Sequence, residues 1–351
     1  MIGMRPQRAA GKVRAARITD LAALGELSRL CQSDGSDART LGLPVSSPSI
    51  GMFSLFRLPL AAFRPHDLLY VYEDAGHVAG LVRVERENWR DDWTVVELDA
   101  IASPAAGDVR FRLVGQVLRE GARRGATRFH VACSDVHDNV ELFMQAGFAR
   151  YGQEVVLYRP PGSLPETWSD SRALEAGIRG ARPADAAALM SLYESATPAP
   201  VRRLEAFRIP DWERQGSQWR VPRSSLAPIL RFADIEGYVL ESGSGPGLDG
   251  LVQLGLAREE QPHYIRVLVR PGVDATSLVE FGLGVVAARA GRPSGDARPE
   301  RGIIAPVRTY ESPVDRRIEA AGFDAIANVT LLMKETLVRI AEPALVPAGV
   351  R

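Results

Sequence analysis

One phrase occurs twice in this chain, and the repetition constrains the fold more than any other feature. Residues 13–24 read VRAARITDLAAL, and residues 178–189 read IRGARPADAAAL, 165 positions later (178 − 13) and without a gap. A second echo, AGF at 146–148 and again at 321–323, has an offset of 175 (322 − 147). Because these phrases open and close segments of roughly 150 residues, they predict two copies of one domain and not a short-period solenoid.

Composition sets the class of protein. The chain has 351 residues, enough for two domains that each bury a core. Its 43 basic and 43 acidic residues cancel, so we expect neither a nucleic acid nor a membrane as partner. No stretch approaches the ~18 apolar residues of a membrane span, and the N-terminus does not resemble a signal peptide. These features predict a cytoplasmic protein in which Cys31 and Cys133 are buried thiols.

Hydrophobic periodicity and the positions of Gly and Pro predict the same order of elements in both copies. That order is strand, helix, loop, three strands, central helix, strand, short helix and last strand. It describes a mostly antiparallel sheet with one parallel step through the central helix. The fold class is therefore α/β (α+β), with mixed sheets flanked by helices. We predict a first domain at 1–160, a linker at 161–177 marked by RPPG at 159–162, and a second domain at 178–351.

Three features carry a resemblance to a known family. They are the opening phrase RAARITD at 14–20, the strand broken at Pro104 before the central helix, and Asp138-Asn139 followed by AGF at 146–148. Together they resemble the GCN5-related N-acetyltransferase (GNAT) superfamily, and the likeness spans most of both copies. The resemblance implies two acyl-CoA N-acyltransferase-like domains in tandem, with acetyl-CoA as co-substrate. No charged tract suggests a polymer acceptor, so a small amine is the expected partner.

The family resemblance also implies where acetyl-CoA binds. In this family the central strand splays from its neighbour, and the turn into the central helix wraps the pyrophosphate through backbone N–H groups. The first copy keeps one glycine of that turn, Gly107, and Asp108 adds a negative charge that Arg110 and Arg112 can offset. The residues that the resemblance assigns to the cofactor are Ala100, Ile101, Ala102, Gly107, Asp108, Val109, Arg110, Arg112 and Asn139.

Two simpler interpretations stand beside that assignment. The turn after Pro104 fits an ordinary strand-to-helix connection, and Asn139 fits a helix N-cap. The second copy has PGVDATSL at 271–278, without the glycine pattern. We therefore expect transfer in the first domain and a degenerate second domain that is structural or forms a wall of the substrate site.

Catalysis in this family needs a base for the amine and an acid for the leaving thiolate. Glu97 and Asp99 lie two residues apart on one predicted strand face, where acidic groups are costly unless paired or functional. They are candidates for the base, with Glu97 favoured for its longer side chain. The alternative is an exposed face or an ion pair with Arg83 or Arg112.

The acid is harder to find in the sequence. Counting back five from the Phe of each AGF phrase gives Phe143 and Ile318, where the family commonly has tyrosine. Neither side chain carries a proton to donate. Other tyrosines could supply the acid, although the sequence does not show where they lie in the fold. These alternative candidates, or stand-ins, are Tyr151, Tyr158 and Tyr310.

A metal site is not expected, because His130 and Cys133 differ by three and a strand sends them to opposite faces. The leading hypothesis is an acetyl-CoA-dependent N-acetyltransferase that acts on a small amine in its first domain. The alternative is a non-catalytic acyl-CoA or metabolite-binding protein with a degenerate fold. A third interpretation is a structural dimerisation module, and a homodimer is left open. The apolar residues 50–60 either line an acceptor pocket or pack against the other copy.

Overall fold

The computed structural model describes residues 11–32, 41, 43, 67–87, 89–136, 138–162, 168–216, 219–230, 232–243, 245–257, 261–290 and 301–336. The apolar residues 50–60 and the side chain of Cys31 lie outside the described part. The strands are β1 (Lys12–Ala15), β2 (Asp67–Asp74), β3 (His77–Arg86), β4 (Asp92–Ala100), β5 (Arg128–Cys133), β6 (Ala149–Arg159), β7 (Ile178–Gly180), β8 (Phe232–Glu241), β9 (Leu248–Ala257), β10 (His263–Val269), β11 (Ile303–Arg308) and β12 (Asp324–Glu335). The helices are α1 (Leu21–Gln32), α2 (Ala106–Arg123), α3 (Asn139–Gln145), α4 (Asp170–Glu175), α5 (Ala186–Ala196), α6 (Ala199–Glu205), α7 (Ile209–Glu213), α8 (Thr276–Ala290) and α9 (Ser312–Ala320).

All twelve strands join one sheet, in the order β1-β2-β3-β4-β5-β12-β6-β11-β10-β9-β8-β7. The pairs β4–β5 and β10–β11 are parallel, and the other pairs are antiparallel. The order reads the same from either edge when the two halves are interchanged. The mixed, mostly antiparallel α/β fold predicted from the sequence is therefore confirmed, and it repeats about an approximate twofold axis through the centre of the sheet.

The two halves exchange their last strands. β12, from the second half, pairs with β5 of the first half, and β6, from the first half, pairs with β11 of the second. The exchanged strands also pair with each other along most of their length. Each half therefore completes its sheet with a strand from the other, an arrangement that the predicted order of elements does not specify.

The faces of the sheet are set by alternation along the exchanged strands. Leu157 and Leu332 point into the two cores covered by α8 and α2. Their neighbours Val156 and Leu331 point to the opposite face, where they share a cluster with the loop at 223–230. The central helices of both halves consequently lie on one face, and α1, α5 and the 223–230 loop lie on the other.

The repeated opening phrase has a structural role in both halves. Arg14 donates two hydrogen bonds to Asp20 (2.7 and 2.9 Å), and Arg179 does the same to Asp185 (2.8 and 2.9 Å). The same carboxylates accept the backbone N–H three residues earlier, at the start of a short 3₁₀ helix. Each arginine holds the pKa of its aspartate below the ordinary value, mainly through the side-chain hydrogen bonds. The phrase thus fixes the entry into the first helix of each copy.

The AGF echo is likewise explained by helix termination. Gly147 and Gly322 have φ of 87° and 86°, a left-handed conformation that glycine adopts without steric cost. The following Phe148 donates its backbone N–H to Phe143 O (3.0 Å), which closes a Schellman-type cap. Phe148 and Phe323 are both buried. The echo therefore ends a helix and returns the chain to the core in each copy.

The predicted linker contains structure of its own. Helix α4 lies inside 161–177, where Ser169 Oγ accepts the backbone N–H of Arg172 (3.2 Å) as an N-cap. Ala173 is buried in the second-half core, and Trp168 packs against it. Among the described residues no helix is both long and apolar enough to cross a membrane.

Candidate functional site

The parallel strands β4 and β5 separate partway along their length. Their pairing runs from Asp92/Arg128 to Val95/Val131, but β4 continues to Ala100 and β5 to Cys133. The pairing of β4 with β3 shifts by one residue at the same level, which marks a β-bulge at Val96. We call the opening beyond the Val95/Val131 pair the first notch.

Helix α2 begins six residues after β4 ends, and its N-terminus is open. The cap residue, Ala105, contributes no side-chain hydrogen bond. Gly107 is exposed, and a Cβ at this position would meet no atom within 4 Å. A Cβ at Gly80 would instead lie 2.7 Å from Val109 Cγ1, so glycine in β3 is what lets this turn of α2 approach the sheet. An uncapped helix N-terminus beside open space is suited to an anionic group.

The other residues predicted at this turn are either exposed beside it or packed into the fold. Arg112 Nε lies 2.7 Å from Asp108 Oδ2 on the exposed face of α2, so this arginine offsets the aspartate charge. Val109 is buried in the core, and Ala100 ends β4 opposite Gly80. Ile101 donates its backbone N–H to Ala79 O (2.9 Å). The side chains of Ile101 and Ala102 are exposed beside the turn.

Arg110 connects the helix that follows β4 to the helix that follows β5. Its Nη1 donates to Asn139 Oδ1 at 2.9 Å. Asn139 is 1% exposed, and its Nδ2 has no hydrogen-bond partner among the described residues. A buried amide donor is costly unless an acceptor reaches it, so Nδ2 is a candidate donor to a water molecule or a ligand.

The N-cap interpretation of Asn139 is wrong. The residue before the helix is Asp138, in a left-handed conformation (φ 55°), and Asn139 is the first helical residue. Its side chain is directed to Arg110, not to a backbone N–H of its own helix.

Glu97 and Asp99 share the face of β4 opposite the α2 core and are both buried. Arg83 Nε donates to Glu97 Oε2 at 2.9 Å, and Arg83 Nη1 lies 3.3 Å from Asp67 Oδ2. Of the two arginines considered from the sequence, Arg83 forms the pair and Arg112 does not. Burial alone would lower the pKa of Arg83, but the charges of Glu97 and Asp67 outweigh it and raise that pKa. Asp99 Oδ1 accepts the backbone N–H of Ala100 (2.8 Å).

The second half has an equivalent notch, but its own side chains fill the inner part. β10 and β11 pair only at His263/Ile303 and Tyr264/Ile304. Beyond that point Arg266 donates to both carboxylate oxygens of Glu311, each at 2.7 Å. Counted from the strand end, Arg266 and Leu268 stand where the first half has Glu97 and Asp99. The pair of acidic side chains is therefore absent from β10.

The first backbone N–H of α8 bonds to a carboxylate, whereas the first N–H of α2 bonds to the carbonyl oxygen of Ser103. Asp274 Oδ1 accepts from the backbone N and the hydroxyl of Thr276 (3.1 and 2.8 Å) and lies 2.9 Å from Arg317 Nε. The N–H hydrogen bond and the hydroxyl hydrogen bond of Thr276, with the charge of Arg317, lower the pKa of Asp274. The negative charge at this helix end is therefore supplied by a carboxylate of the protein itself.

A buried group of charged residues, the junction cluster, joins the two halves. Arg223 lies 3.2 Å from Asp92 Oδ2 and 2.8 Å from Glu87 Oε1. Arg308 lies 3.1 Å from Glu154 Oε2 and 2.9 Å from Glu205 Oε1. The contacts of Arg223, and the Arg308–Glu154 contact, link the second half to the first across the centre of the sheet.

A small cavity of about 20 Å³ lies where the first notch begins. Its lining includes Val95, Val131, His130, Tyr151 and Arg223, and its volume suits about one water molecule. Both ring nitrogens of His130 lack a hydrogen-bond partner among the described residues, although Nε2 lies 3.5 Å from Asp92 Oδ2. Burial and the charge of Arg223 lower the pKa of His130 to about 3. The imidazole is therefore neutral near pH 7.

Tyr151 is the one tyrosine stand-in that the structure places beside the notch. Burial and the nearby Glu205 raise its pKa to about 12, so the phenol keeps its proton at neutral pH. Phe143 and Ile318, at the family's tyrosine positions, are both fully buried in the cores. No signal in the sequence distinguished Tyr151 from Tyr158 or Tyr310, because its position depends on the exchange of strands.

The two metal-ligating side chains considered from the sequence lie on opposite faces of the sheet. Cys133 lies in the core beneath α2, whereas His130 faces the cavity on the other side of the sheet. Across the described ranges, no three His, Cys, Asp or Glu side chains are grouped so as to hold a metal ion. Burial raises the pKa of the Cys133 thiol to about 12.

Comparison with known proteins identifies the fold. No model of a known protein family matches the sequence, and no curated protein matches it. Among solved structures, a tandem GNAT protein from the clavulanic acid biosynthesis pathway is similar over 93% of this chain and 98% of its own, with a TM-score of 0.53 and 10% identity. A GCN5-related N-acetyltransferase from Sphaerobacter thermophilus is similar over 95% and 97% (TM-score 0.51, 16% identity). An acetyltransferase described as putative from Pyrococcus horikoshii is similar over 96% and 93% (TM-score 0.51, 12% identity).

These similarities show the fold: two units of the acyl-CoA N-acyltransferase fold in tandem. The chain has the tandem GNAT fold, as the opening phrase, the strand break and the AGF echo predicted.

Proposed function

We propose that the protein is an acetyl-CoA-dependent N-acetyltransferase that acts on a small amine in its first half. The observation that carries the proposal is the first notch, which opens directly before the uncapped N-terminus of α2. A parted pair of parallel strands offers backbone groups to an extended ligand arm, and the helix end offers N–H groups to its phosphates.

The difference between the halves supports the first as the acetyl-CoA site. In the second half, Arg266–Glu311 lies inside the notch and Asp274 closes the helix end. In the first half, Asp108 is offset by Arg112, and Gly107 leaves the turn open. A second pyrophosphate site would have to displace carboxylates that are already hydrogen-bonded.

In this proposal each side chain has a defined task. The backbone at Gly107 and Asp108 faces the pyrophosphate, and Asn139 Nδ2 donates to a carbonyl oxygen of the cofactor arm. Arg110 holds the other side of that amide in place. Acetyl-CoA supplies the thioester; the chain orients it and handles the two protons of the transfer.

Of the two acidic residues, Asp99 is the better placed base. The Arg83 guanidinium holds Glu97 in a buried ion pair, so a proton on Glu97 would break that pair. Asp99 lies nearer the open end of β4, and its charge acts on Arg110. Tyr151 keeps its proton and lines the cavity where the first notch begins. It is the proposed acid that protonates the leaving thiolate.

The second candidate function is a non-catalytic acyl-CoA-binding protein. This alternative is favoured by Phe143 and Ile318, which stand where the family commonly has tyrosine. Neither half therefore has a proton donor at that position. Binding of acetyl-CoA without release of free CoA across a broad amine panel would select it.

Acetyl-CoA should bind through the first half alone. We expect Gly107→Trp to weaken acetyl-CoA binding at least about tenfold in isothermal titration, because the ring fills the open turn. The matched control is Ser277→Trp, at the same position of α8. If Ser277→Trp weakens binding and Gly107→Trp does not, the cofactor site belongs to the second half.

Replacing Asp99 and replacing Glu97 should have different effects on the rate of acetyl transfer. We expect Asp99→Asn to lower the rate of acetyl transfer about 10²–10⁴-fold with acetyl-CoA affinity unchanged, as loss of a general base predicts. Glu97→Gln should instead lower the free energy of unfolding, because Arg83 loses the closer of its two buried carboxylate partners. If Asp99→Asn transfers acetyl groups at the wild-type rate while Glu97→Gln is stable but slow, Glu97 is the general base.

A further inference from the structure

A cleft lies along the edge of β6 and shares Tyr151 with the small cavity at the first notch. It has a volume of about 410 Å³, within the range of sites for small metabolites. Its lining comes from both halves: Arg150, Tyr151, Gly152, Gln153, Pro200, Leu204, Thr309 and Thr330.

The cleft exists because β11 is shorter than its neighbour. The pairing of β11 with β6 stops at Arg308/Glu154, and beyond it Thr309 N donates to Gln153 O (3.1 Å). The first residues of β6 therefore pair only with β12 and leave a free edge toward the second half. Helix α6, through Pro200 and Leu204, forms an apolar wall beside that edge.

Four of the residues that line this cleft are polar. The side chains of Arg150, Gln153, Thr309 and Thr330 make no hydrogen bond or ion pair with any residue that the structure describes. Arg150 is exposed, in contrast to Arg308 and Arg223 close by, which are buried in ion pairs. An unpaired guanidinium beside two hydroxyls and an amide is complementary to a carboxylate.

We infer that this cleft is a second ligand site, which binds a small organic carboxylate through Arg150. The carboxylate accepts from the guanidinium, the hydroxyls and amide satisfy further polar atoms, and Pro200 with Leu204 contact the carbon chain. Only one strand, β12, separates the row of Gln153 from the end of β5, so the site lies about 10 Å from the first notch. The inference does not depend on catalysis in the first half.

The test is isothermal titration of the full chain with glutarate, with glutaramide and with inorganic phosphate. Glutarate should bind saturably at or below about 10 mM, and glutaramide should bind at least about tenfold more weakly, because it lacks the charge. Arg150→Gln and Thr309→Trp should each weaken glutarate binding about tenfold or more. The control Arg123→Gln removes an exposed arginine of α2 and should leave glutarate binding unchanged.

Three results would overturn the inference. They are no saturable glutarate binding at about 10 mM, equal binding of glutarate and glutaramide, or unchanged binding in Arg150→Gln. Tighter binding of phosphate than of glutarate would also reject a carboxylate site. The titration uses neither acetyl-CoA nor turnover. Its outcome therefore tests the carboxylate site whether or not the protein transfers acetyl groups.

Discussion

Produced as two separate fragments, 1–160 and 161–351, this chain should not yield two folded monomers. We expect each fragment alone to be unfolded or self-associated, and the two together to form a 1:1 complex with the circular dichroism of the intact chain. The reason is the strand exchange: without β12, the edge of β5 loses its partner strand and the first-half core loses Leu332. Size-exclusion chromatography with light scattering, before and after mixing, measures the outcome.

A matched pair of truncations isolates the strand itself. A chain ending at Phe323 lacks β12, whereas a chain ending at Thr336 keeps it whole. The shorter chain should lose cooperative unfolding in both halves, although residues 1–160 are intact. A monomeric, cooperatively folded 1–160 fragment would show that the first half closes its own sheet with β6, against the pairing described.

The junction cluster should be the most sensitive group of polar residues. We expect Arg308→Met to lower the free energy of unfolding by about 3–5 kcal/mol, because Glu154 and Glu205 are left buried without their cation. Chemical denaturation followed by tryptophan fluorescence gives this value, provided that the transition is two-state.

Two controls make the measurement specific. Adding Glu154→Gln and Glu205→Gln to Arg308→Met should recover part of the loss, since the unpaired charges are then removed. Arg124→Met breaks the helix pair with Glu120 (2.7 Å), in which the arginine side chain is 45% exposed, and should cost about 0–1 kcal/mol. Similar losses for Arg308→Met and Arg124→Met would mean that the junction cluster contributes no more than a surface pair.

The fold class was accessible from the sequence because its signals are local. The Arg14–Asp20 contact spans six residues and the AGF cap spans one helix end, so each repeats wherever the phrase repeats. The strand break at Pro104 and the helix after it follow from the same short-range chemistry. The identity of the cofactor residues beyond Gly107 was carried by family resemblance, and their roles stay predictions.

Pairings between distant residues were decided by tertiary structure. Arg223 and Asp92 are 131 positions apart, and Arg308 and Glu205 are 103 apart. No periodicity connects such residues, so neither the junction cluster nor the cleft at Arg150 was predicted. The Arg83–Glu97 pair, 14 residues apart on neighbouring strands, was among the alternatives because a hairpin brings such residues together.

The sequence by itself therefore determined two copies of one α/β unit, their order of elements, and the ends of their helices. Only the tertiary structure decided that β6 and β12 change places and that Tyr151 lies at the first notch. It also decided that Arg266 and Glu311 fill the equivalent notch between β10 and β11. The physical reason is that β6 and β12 carry equivalent apolar patterns. Either could pair with β5, and nothing local in the chain distinguishes the two pairings.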